Sequence, residues 1–313
     1  MTQSRSNVAG TKVAFIGTGV MGASMAGHLM HAGCKLAVYN RTPAKAQPLV
    51  ERGARWAGTP GEAAADADVV ITMVGYPADV EAVYLGKDGI IAAASAGTLL
   101  IDMTTSSPQL AVRIAEAADA AGLDALDAPV SGGDIGARNA TLTIMVGGSE
   151  TAFARAEALL SVMGKSVILQ GGPGAGQHTK MSNQVAVAGS MFASIEALAY
   201  ARAAGLDPAS VLQSIGGGAA ASWSLENLAP RVLKGDFNPG FYVKHFVKDL
   251  RIALEAARAA GLELPALTLA EKLYARLSEA GGSELGTQAL WLLYASEQER
   301  MSAGVEASAT AED

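Results

Sequence analysis

Lys180 and Asn183 lie three residues apart in an Ala-rich segment that predicts a long helix over about 177–204. Residues at this spacing share one face of a helix. A lysine that is partly desolvated on a mostly apolar helix titrates nearer neutrality, which suits a general acid or base. By spacing alone a solvated surface lysine is the more common outcome, so both interpretations stay open. His178, two residues from Lys180, is expected to point elsewhere and to be structural.

A glycine-rich turn near the N-terminus could hold a dinucleotide. It follows an apolar run at 12–17 and precedes a predicted helix that stops at Gly33 and a strand at 35–40, as this fingerprint requires. Its three glycines permit the tight turn, the approach of a pyrophosphate, and close packing of helix on strand. A tight turn without a ligand is the alternative. The candidate cofactor-binding residues are Gly17, Thr18, Gly19, Val20, Met21 and Gly22.

The end of the predicted second strand indicates which dinucleotide is bound. An NAD site usually has a carboxylate there, whereas this sequence has Asn40, Arg41 and Thr42. Arg41 can pair with a 2′-phosphate, and Thr42 can add a hydroxyl donor. The segment therefore favours NADP(H). The alternative is a solvated Arg41 in an enzyme that takes both NADP(H) and NAD(H).

Alternating strands and helices in the first half predict the fold class. They indicate an α/β domain with a parallel, doubly wound sheet of the Rossmann type. The predicted strands that follow the first two are 68–74, 98–103, 123–127, 141–146 and 167–170. Ligands bind at the carboxyl ends of such strands. The small and polar segments at those ends are therefore the candidate contacts: 74–77, 104–108 and 128–133.

A glycine-rich break at 171–176 is followed by a half in which no convincing strand is found. The second domain is therefore expected to be all-α. Its predicted helices are 208–215, 223–233, 243–260, 266–280 and 287–298. The predicted organisation is a dinucleotide-binding domain at 1–175, an interdomain helix at 176–205, an all-helical C-terminal domain at 206–300 and a flexible tail at 301–313.

Composition excludes several classes of protein. Half of the 313 residues are hydrophobic and 17% are charged, so the chain can bury a core. A net charge of −7 argues against a nucleic-acid partner. The single cysteine, Cys34, excludes an internal disulfide and a Cys-based zinc site, and we expect no metal. Without a signal-peptide core or an uncharged spanning run, we expect a soluble, cytoplasmic protein with no membrane partner.

With these motifs assembled, the chain resembles the β-hydroxyacid dehydrogenase family over about 12–294. That family includes 3-hydroxyisobutyrate dehydrogenases, tartronate semialdehyde reductases and glyoxylate/succinic semialdehyde reductases. Four ordered motifs carry the resemblance: the turn region 15–25, the loop 127–133, the helix start 174–183, and Lys248-Asp249-Leu250.

The resemblance implies roles for the residues in these motifs. Lys180 resembles the catalytic lysine, and Asn183 resembles the asparagine that helps to hold the substrate and that lysine. The loop that binds the substrate carboxylate is matched by Ser131, Gly132 and Gly133.

The resemblance also adds cofactor contacts. Thr105 resembles a threonine near the nicotinamide, and Lys248 resembles a lysine that closes over cofactor and substrate. Val74 and Gly75 occupy the contact position after the third strand, where many relatives have Leu-Pro, so only backbone contacts are expected.

The implied activity is the NAD(P)-dependent interconversion of a short, carboxylate-bearing β-hydroxy acid and its semialdehyde, by hydride transfer with Lys180 as general acid/base. Homodimers or homotetramers built through the helical domain are implied as well. The alternative is a catalytically silent nucleotide-binding sensor or structural module on the same fold. Such a protein is expected to lack Lys180 or Asn183, and both are present.

Overall fold

The structure, a computed structural model, describes residues 8–305, and it divides into a first unit that ends at Lys180 and a second that begins at Met181. The strands of the first unit are Lys12–Ile16 (β1), Lys35–Tyr39 (β2), Arg55–Trp56 (β3), Val69–Thr72 (β4), Leu99–Asp102 (β5), Asp124–Asp127 (β6), Val130–Ser131 (β7), Leu142–Gly147 (β8) and Gly164–Gly171 (β9). They form one sheet in the order β3-β2-β1-β4-β5-β6-β8-β7, with β9 paired to β8.

Strands β1 to β6 are mutually parallel, and both faces of this part of the sheet are covered. Along β1, Val13 and Phe15 pack in one core cluster, while Ala14 and Ile16 pack in another. Successive side chains point to opposite faces of a strand, so a strand covered on both faces needs a continuous apolar run. The strand order reverses between β1 and β4, and the carboxyl ends of these two strands therefore flank the crevice where such sheets bind ligands.

The far edge of the sheet differs from the parallel arrangement that the sequence predicts. Strand β8 runs antiparallel to β6 and β7, and parallel to β9. Only Ala128 and Pro129 separate β6 from β7, and Pro129 has no N–H to donate to a ladder. The connection from β7 to β8 holds one six-residue helix, which is too short for the crossover that a parallel pair requires.

The helices that cover the sheet are Val20–His31 (α1), Gln47–Val50 (α2), Pro60–Ala64 (α3), Pro77–Leu85 (α4), Ile90–Ala93 (α5), Pro108–Ala120 (α6), Gly133–Arg138 (α7) and Glu150–Met163 (α8). Side chains cap several of them. Thr59, Ser107 and Ser149 each accept the backbone N–H of the residue three positions later, at the starts of α3, α6 and α8. These caps fix where each helix leaves the loop that follows its strand.

A 29-residue helix, Ala175–Ala203 (α9), begins in the first unit and continues into the second. By length and composition alone, α9 could span a membrane. The sequence interpretation expected no segment that could do so, because it found no uncharged apolar run of sufficient length. The length and composition of α9 are weak evidence, because core helices of soluble proteins have the same composition. Moreover, α9 carries the buried polar residues Gln177, Lys180 and Gln184.

The described part of the second unit is helical, as expected. Its α-helices are Pro208–Gly216 (α10), Trp223–Asn227 (α11), Ala229–Leu233 (α12), Val243–Ala259 (α13), Pro265–Glu279 (α14) and Glu297–Ser302 (α15), with 3₁₀ turns at Gly282–Glu284 and Thr287–Leu293. Phe246 of α13 packs edge-on against Tyr274 of α14 at a centroid distance of 4.9 Å. Tyr274 is fully buried, and its hydroxyl donates to the carbonyl of Thr287 at 2.9 Å.

Two helices predicted in the second unit are divided, and the expected tail starts differently. Pro230 lacks the N–H that would continue a helix from 223 to 233, so α11 and α12 are separate. Ser296 forms a capping box with Glu299, which starts α15 as a new helix after the 3₁₀ turn. Val305 packs into the core of the second unit, so 301–305 belong to that unit, whereas 306–313 lie outside the described residues.

Cys34 lies between α1 and β2 in the core of the first unit. Its thiol donates to the carbonyl of Val8 at 3.4 Å. Burial raises the pKa of the Cys34 thiol to about 11. Because the thiolate is the reactive form, this cysteine is chemically inert in the folded protein.

Candidate active site

The turn between β1 and α1 has the shape that a pyrophosphate needs. Gly17 has φ +96°, and a Cβ there would overlap the carbonyl of Met73. A Cβ on Gly22 would overlap the carbonyl oxygen of Gly17, whereas nothing lies within 4 Å of the Cβ position of Gly19. Helix α1 starts directly after Gly19, and its first turn has no acidic residue. The turn therefore leaves backbone N–H groups accessible to an anion, and a dinucleotide fits it.

Asn40 holds this turn in place. Its Oδ1 accepts the N–H of Thr18 at 2.9 Å, and its Nδ2 donates to the carbonyl of Thr42 at 2.9 Å. Both ends of the side-chain amide are therefore used within the protein. The hydroxyl of Thr18 is buried, and it has no hydrogen-bond partner among the described residues. A buried hydroxyl without a partner at the glycine turn is consistent with a ligand that contacts it.

Arg41 points into solvent beside an acidic residue. Its guanidinium forms an ion pair with Asp79 at 2.8 Å, and its side chain is 83% exposed. The other carboxylate oxygen of Asp79 accepts the N–H of Tyr76 at 3.2 Å, at the start of α4. Exposed ion pairs contribute little to stability, so Arg41 can exchange this partner for a phosphate at small cost.

The loops after β4 and β5 are joined by buried hydrogen bonds. The hydroxyl of Thr72 donates to Asp102 Oδ1 at 2.6 Å, and the N–H of Thr104 donates to the same oxygen at 3.1 Å. The hydroxyl of Thr104 then accepts the N–H of Val74 at 3.0 Å. The backbone at Val74 is therefore held against the segment that carries Thr105, as two loops that contact one cofactor require.

The first turn of α9 is fixed to the sheet by Asp127. This carboxylate, at the end of β6, accepts the N–H groups of Gly174 and Gln177, both at 2.7 Å. Burial raises the pKa of Asp127 to about 6, against the opposing effect of these two hydrogen bonds. The side-chain Nε2 of Gln177 donates in turn to the backbone carbonyl of Thr104. We call Asp127, Gln177 and Thr104 the helix-start network.

Lys180 lies one turn further along α9 and is 6% exposed. The alternative of a solvated helix lysine is therefore wrong. His178, in contrast, is exposed. An amine that is shielded from bulk water can exchange a proton with a bound substrate rather than with solvent.

Ser131 ends β7, Gly132 and Gly133 follow it, and these two glycines have φ +130° and +61°. A side chain at either position would be strained in this conformation. The other predicted residues of the first unit follow parallel strands or lie near the start of α9. Segments that follow parallel strands meet at one edge of a sheet.

In the second unit, Asn183 and Lys248 are joined through two residues that the sequence interpretation did not single out as site residues. Asn183 Nδ2 donates to Gln184 Oε1 at 2.7 Å, and Gln184 Nε2 donates to Asp249 Oδ2 at 2.6 Å. The ammonium of Lys248 pairs with Asp249 Oδ1 at 3.1 Å. We call Asn183, Gln184, Lys248 and Asp249 the second-unit network.

Comparisons with known proteins agree with this architecture. A family model described as the NAD binding domain of 6-phosphogluconate dehydrogenase matches residues 12–172. A second, described as the NAD-binding of NADP-dependent 3-hydroxyisobutyrate dehydrogenase, matches residues 174–294. The 2-hydroxy-3-oxopropionate reductase of Escherichia coli is 41% identical over 279 residues, which cover 89% of this chain and 95% of that protein. The chain belongs to the β-hydroxyacid dehydrogenase family.

Other members of the β-hydroxyacid dehydrogenase family match over similar lengths. The uncharacterized oxidoreductase YkwC of Bacillus subtilis is 55% identical over 282 residues, which cover 90% of this chain and 98% of the relative. The structure of Mycobacterium tuberculosis 3-hydroxyisobutyrate dehydrogenase with L-serine superimposes with a TM-score of 0.85 at 34% identity, covering 92% of this chain and all of that one. These matches confirm the predicted family and the predicted fold class, a Rossmann-type sheet followed by a helical domain. They also show NAD(P) as the cofactor class of the family.

Four buried residues at the site were not predicted to act: Asp127, Gln177, Asp249 and Gln184. The first and second stand within the motifs at 127–133 and 174–183, and the third directly follows Lys248. A polar residue inside an otherwise apolar or small-residue motif is the signal that could have identified them. Among residues 8–305, no group of three or more His, Cys, Asp or Glu residues could hold a metal ion.

Proposed function

We propose that this chain is an NADP(H)-preferring oxidoreductase that interconverts a short β-hydroxy acid and its semialdehyde. The observation that carries the proposal is the burial of Lys180 on α9, in the unit that contains a glycine turn shaped for a dinucleotide. Relatives named 3-hydroxyisobutyrate dehydrogenase and 2-hydroxy-3-oxopropionate reductase support a substrate of this class.

NADP(H), when bound, supplies or accepts the hydride. In this proposal, Gly17 to Gly22 hold the pyrophosphate with backbone N–H groups, while Asn40 keeps the turn in shape. Arg41 leaves Asp79 to pair with the 2′-phosphate, and Thr42 adds a hydroxyl. The remaining cofactor contacts that we propose are the backbone of Val74 and Gly75, the side chain of Thr105, and Lys248.

Lys180 handles the proton. During reduction it donates a proton to the carbonyl oxygen of the semialdehyde, and during oxidation it accepts the proton of the hydroxyl. By the family resemblance, Asn183 is assigned to the substrate oxygen and to the orientation of Lys180. The burial of Lys180 supports its role as general acid/base, because a shielded amine exchanges its proton with the substrate rather than with bulk water.

The segment Ser131, Gly132 and Gly133 is proposed to bind the substrate carboxylate through backbone N–H groups. Positive φ angles at both glycines support this role, since consecutive N–H groups in such a conformation can form an anion-binding concavity. A semialdehyde that carries a carboxylate should therefore have a much higher kcat/KM than the neutral aldehyde of equal length.

We also propose that the enzyme works in the cytoplasm as a homodimer or homotetramer. The buried, single thiol of Cys34 is compatible with a reducing compartment. Sedimentation of the purified protein tests the oligomeric state.

The decisive experiment is a screen of NADPH and NADH consumption with glyoxylate and with succinic, tartronate and methylmalonate semialdehydes, and of the reverse reaction with the hydroxy acids. We expect turnover of at least one semialdehyde, faster with NADPH. No turnover in either direction, with tight dinucleotide binding retained, would contradict the enzymatic proposal. A preference for NADH would contradict the role of Arg41.

A further inference from the structure

Gln177 is bonded to two neighbouring segments of the first unit near the candidate active site. It is fully buried, in the first turn of α9. Its Nε2 donates to the carbonyl of Thr104 at 2.8 Å, and its Oε1 accepts the N–H of Ser106 at 2.9 Å. Its own backbone N–H donates to Asp127 Oδ2 at 2.7 Å. Both ends of the side-chain amide and the backbone N–H of Gln177 are therefore paired with the sheet or its loops.

The two backbone groups that Gln177 contacts flank one residue, Thr105. The carbonyl precedes Thr105 and the N–H follows it, so the glutamine amide closes a ring around Thr105, as a neighbouring strand would. Lys180 is three residues from Gln177 on α9, and residues three apart share a helix face. A single side chain thus links the loop of Thr105 to the helix turn that leads to Lys180.

We propose that Gln177 is a positioning residue, which sets the distance between Thr105 and Lys180. The proposal rests on the proposed function, in which Thr105 lies near the nicotinamide and Lys180 exchanges the substrate proton. Hydride and proton transfer require that Thr105 and Lys180 are both correctly placed relative to the substrate. A misplacement of about 1 Å can lower the rate by about 100-fold.

Glutamine meets both demands, for a donor and for an acceptor at this length, without having to bind a proton. Asparagine is one methylene shorter and cannot reach both backbone groups from the same helix position. Ionised glutamate can accept from Ser106 but cannot donate to Thr104. Methionine matches the volume of glutamine but leaves a buried N–H and a buried carbonyl without partners.

The first test is Gln177→Met, compared with Gln288→Met. Gln288 is equally buried, and its Nε2 bonds to the carbonyls of Asp236 and Asn238 in the second unit, outside the proposed machinery. In Gln177→Met we expect faster hydrogen exchange at the Ser106 amide of the cofactor-free protein, an NADPH Kd within about threefold of wild type, and a kcat lower by about 100-fold. With NADPH deuterated at the transferred position, the isotope effect on kcat should rise. Gln288→Met should lower Tm but leave these four properties unchanged.

A second variant, Gln177→Glu, tests the proposal by rescue. A protonated carboxyl can donate to Thr104 and accept from Ser106, as glutamine does, whereas the ionised form cannot donate. The ionisable groups nearest along these contacts are Asp127, which accepts the backbone N–H of Gln177, Asp102, which acts electrostatically on Asp127, and Lys180, three residues further along α9. The rate of Gln177→Glu relative to wild type should rise toward one as the pH is lowered, and that of Gln177→Met should stay low. If Gln177→Met does not fold, the pH dependence of Gln177→Glu still tests the proposal.

Several outcomes would overturn the proposal. One is a kcat of Gln177→Met near that of wild type once Ser106 exchanges freely, and another is an equal loss of kcat in Gln288→Met. The proposal would also be overturned if the ratio of the Gln177→Glu rate to the wild-type rate did not change with pH. If wild type itself reduces no semialdehyde, the proposed function fails, while unchanged exchange at Ser106 would separately refute the linkage through Gln177.

Discussion

The helix-start network and the second-unit network hold their residues by different means. In the helix-start network, the side chains of Asp127 and Gln177 bond to backbone N–H and C=O groups. In the second-unit network, side chains bond to side chains and end in the ion pair between Lys248 and Asp249. The first arrangement fixes the path of the chain, while the second fixes side chains relative to one another. We therefore expect a change in the first to displace the backbone that leads to Lys180, and loss of the buried carboxylate of Asp249 in the second to cost mainly stability.

The largest effect is expected from Lys180→Ala, which removes the group that the helix-start network supports. Loss of a general acid/base should lower kcat by about 10²–10⁴-fold. NADPH affinity, measured by fluorescence titration, should change little because the glycine turn is untouched. Lys87→Ala, at an exposed lysine of the first unit, is the control. Near-normal kcat in Lys180→Ala would remove it from the mechanism.

Asp249→Ala should be the most damaging change in the second-unit network. It deprives Gln184 and Lys248 of a buried carboxylate, and loss of one partner of a buried pair costs about 3–5 kcal/mol. Denaturant unfolding measures the loss. Glu284→Ala breaks the exposed pair with Lys244 in the same unit and should cost less than about 1 kcal/mol. Equal costs for the two variants would show that burial of the pair is unimportant.

Asp127 should make stability depend on pH. Its folded-state pKa is raised to about 6 from 3.8, so the folded protein binds this proton more tightly than the unfolded chain does. Its contribution is therefore least favourable above pH 6 and becomes more favourable as the pH falls from 6 toward 4, by about 3 kcal/mol at most.

The measurement is the unfolding free energy of wild type and Asp127→Asn between pH 4 and 7. The difference between the two proteins should shift in favour of wild type as the pH falls. Asp119→Asn, at an exposed position, should run parallel to wild type. Parallel curves for Asp127→Asn would mean that Asp127 is already ionised throughout this range.

The smallest effect lies outside both networks, at exposed Arg41. Arg41→Asp should reduce kcat/KM for NADPH by about 10–100-fold, because a charge-assisted hydrogen bond is replaced by repulsion, and should change NADH little. Arg52→Asp introduces the same charge change elsewhere in the first unit as a control. An equal loss for both cofactors would indicate a structural effect rather than recognition of the 2′-phosphate.

Local chemistry explains what the sequence could predict. The turn from Gly17 to Gly22 and the strand before it depend on neighbours in sequence, so the dinucleotide fold could be recognised from them. The burial of Lys180 depends on how the helix packs, which spacing alone could not distinguish from a solvated face. The family resemblance resolved that choice before the structure did.

Long-range contacts explain what the sequence could not predict. The partners of Gln177 lie 71 and 73 residues away, and the carboxylate of Asp127 lies 50 residues from the N–H that it accepts. No local pattern encodes such pairs. The division of the predicted helix at Pro230 was a local signal, in contrast, and the short connection from β7 to β8 could have indicated an antiparallel edge.

The buried thiol of Cys34 can be used to measure how often the first unit opens. The sequence has one cysteine, so a thiol-reactive dye has one target and no background. With the pKa of that thiol near 11, labelling must wait until the region around α1 and β2 opens. The labelling rate therefore measures how often this part of the first unit opens, and its slowing by added NADPH would measure how firmly the cofactor holds the unit closed.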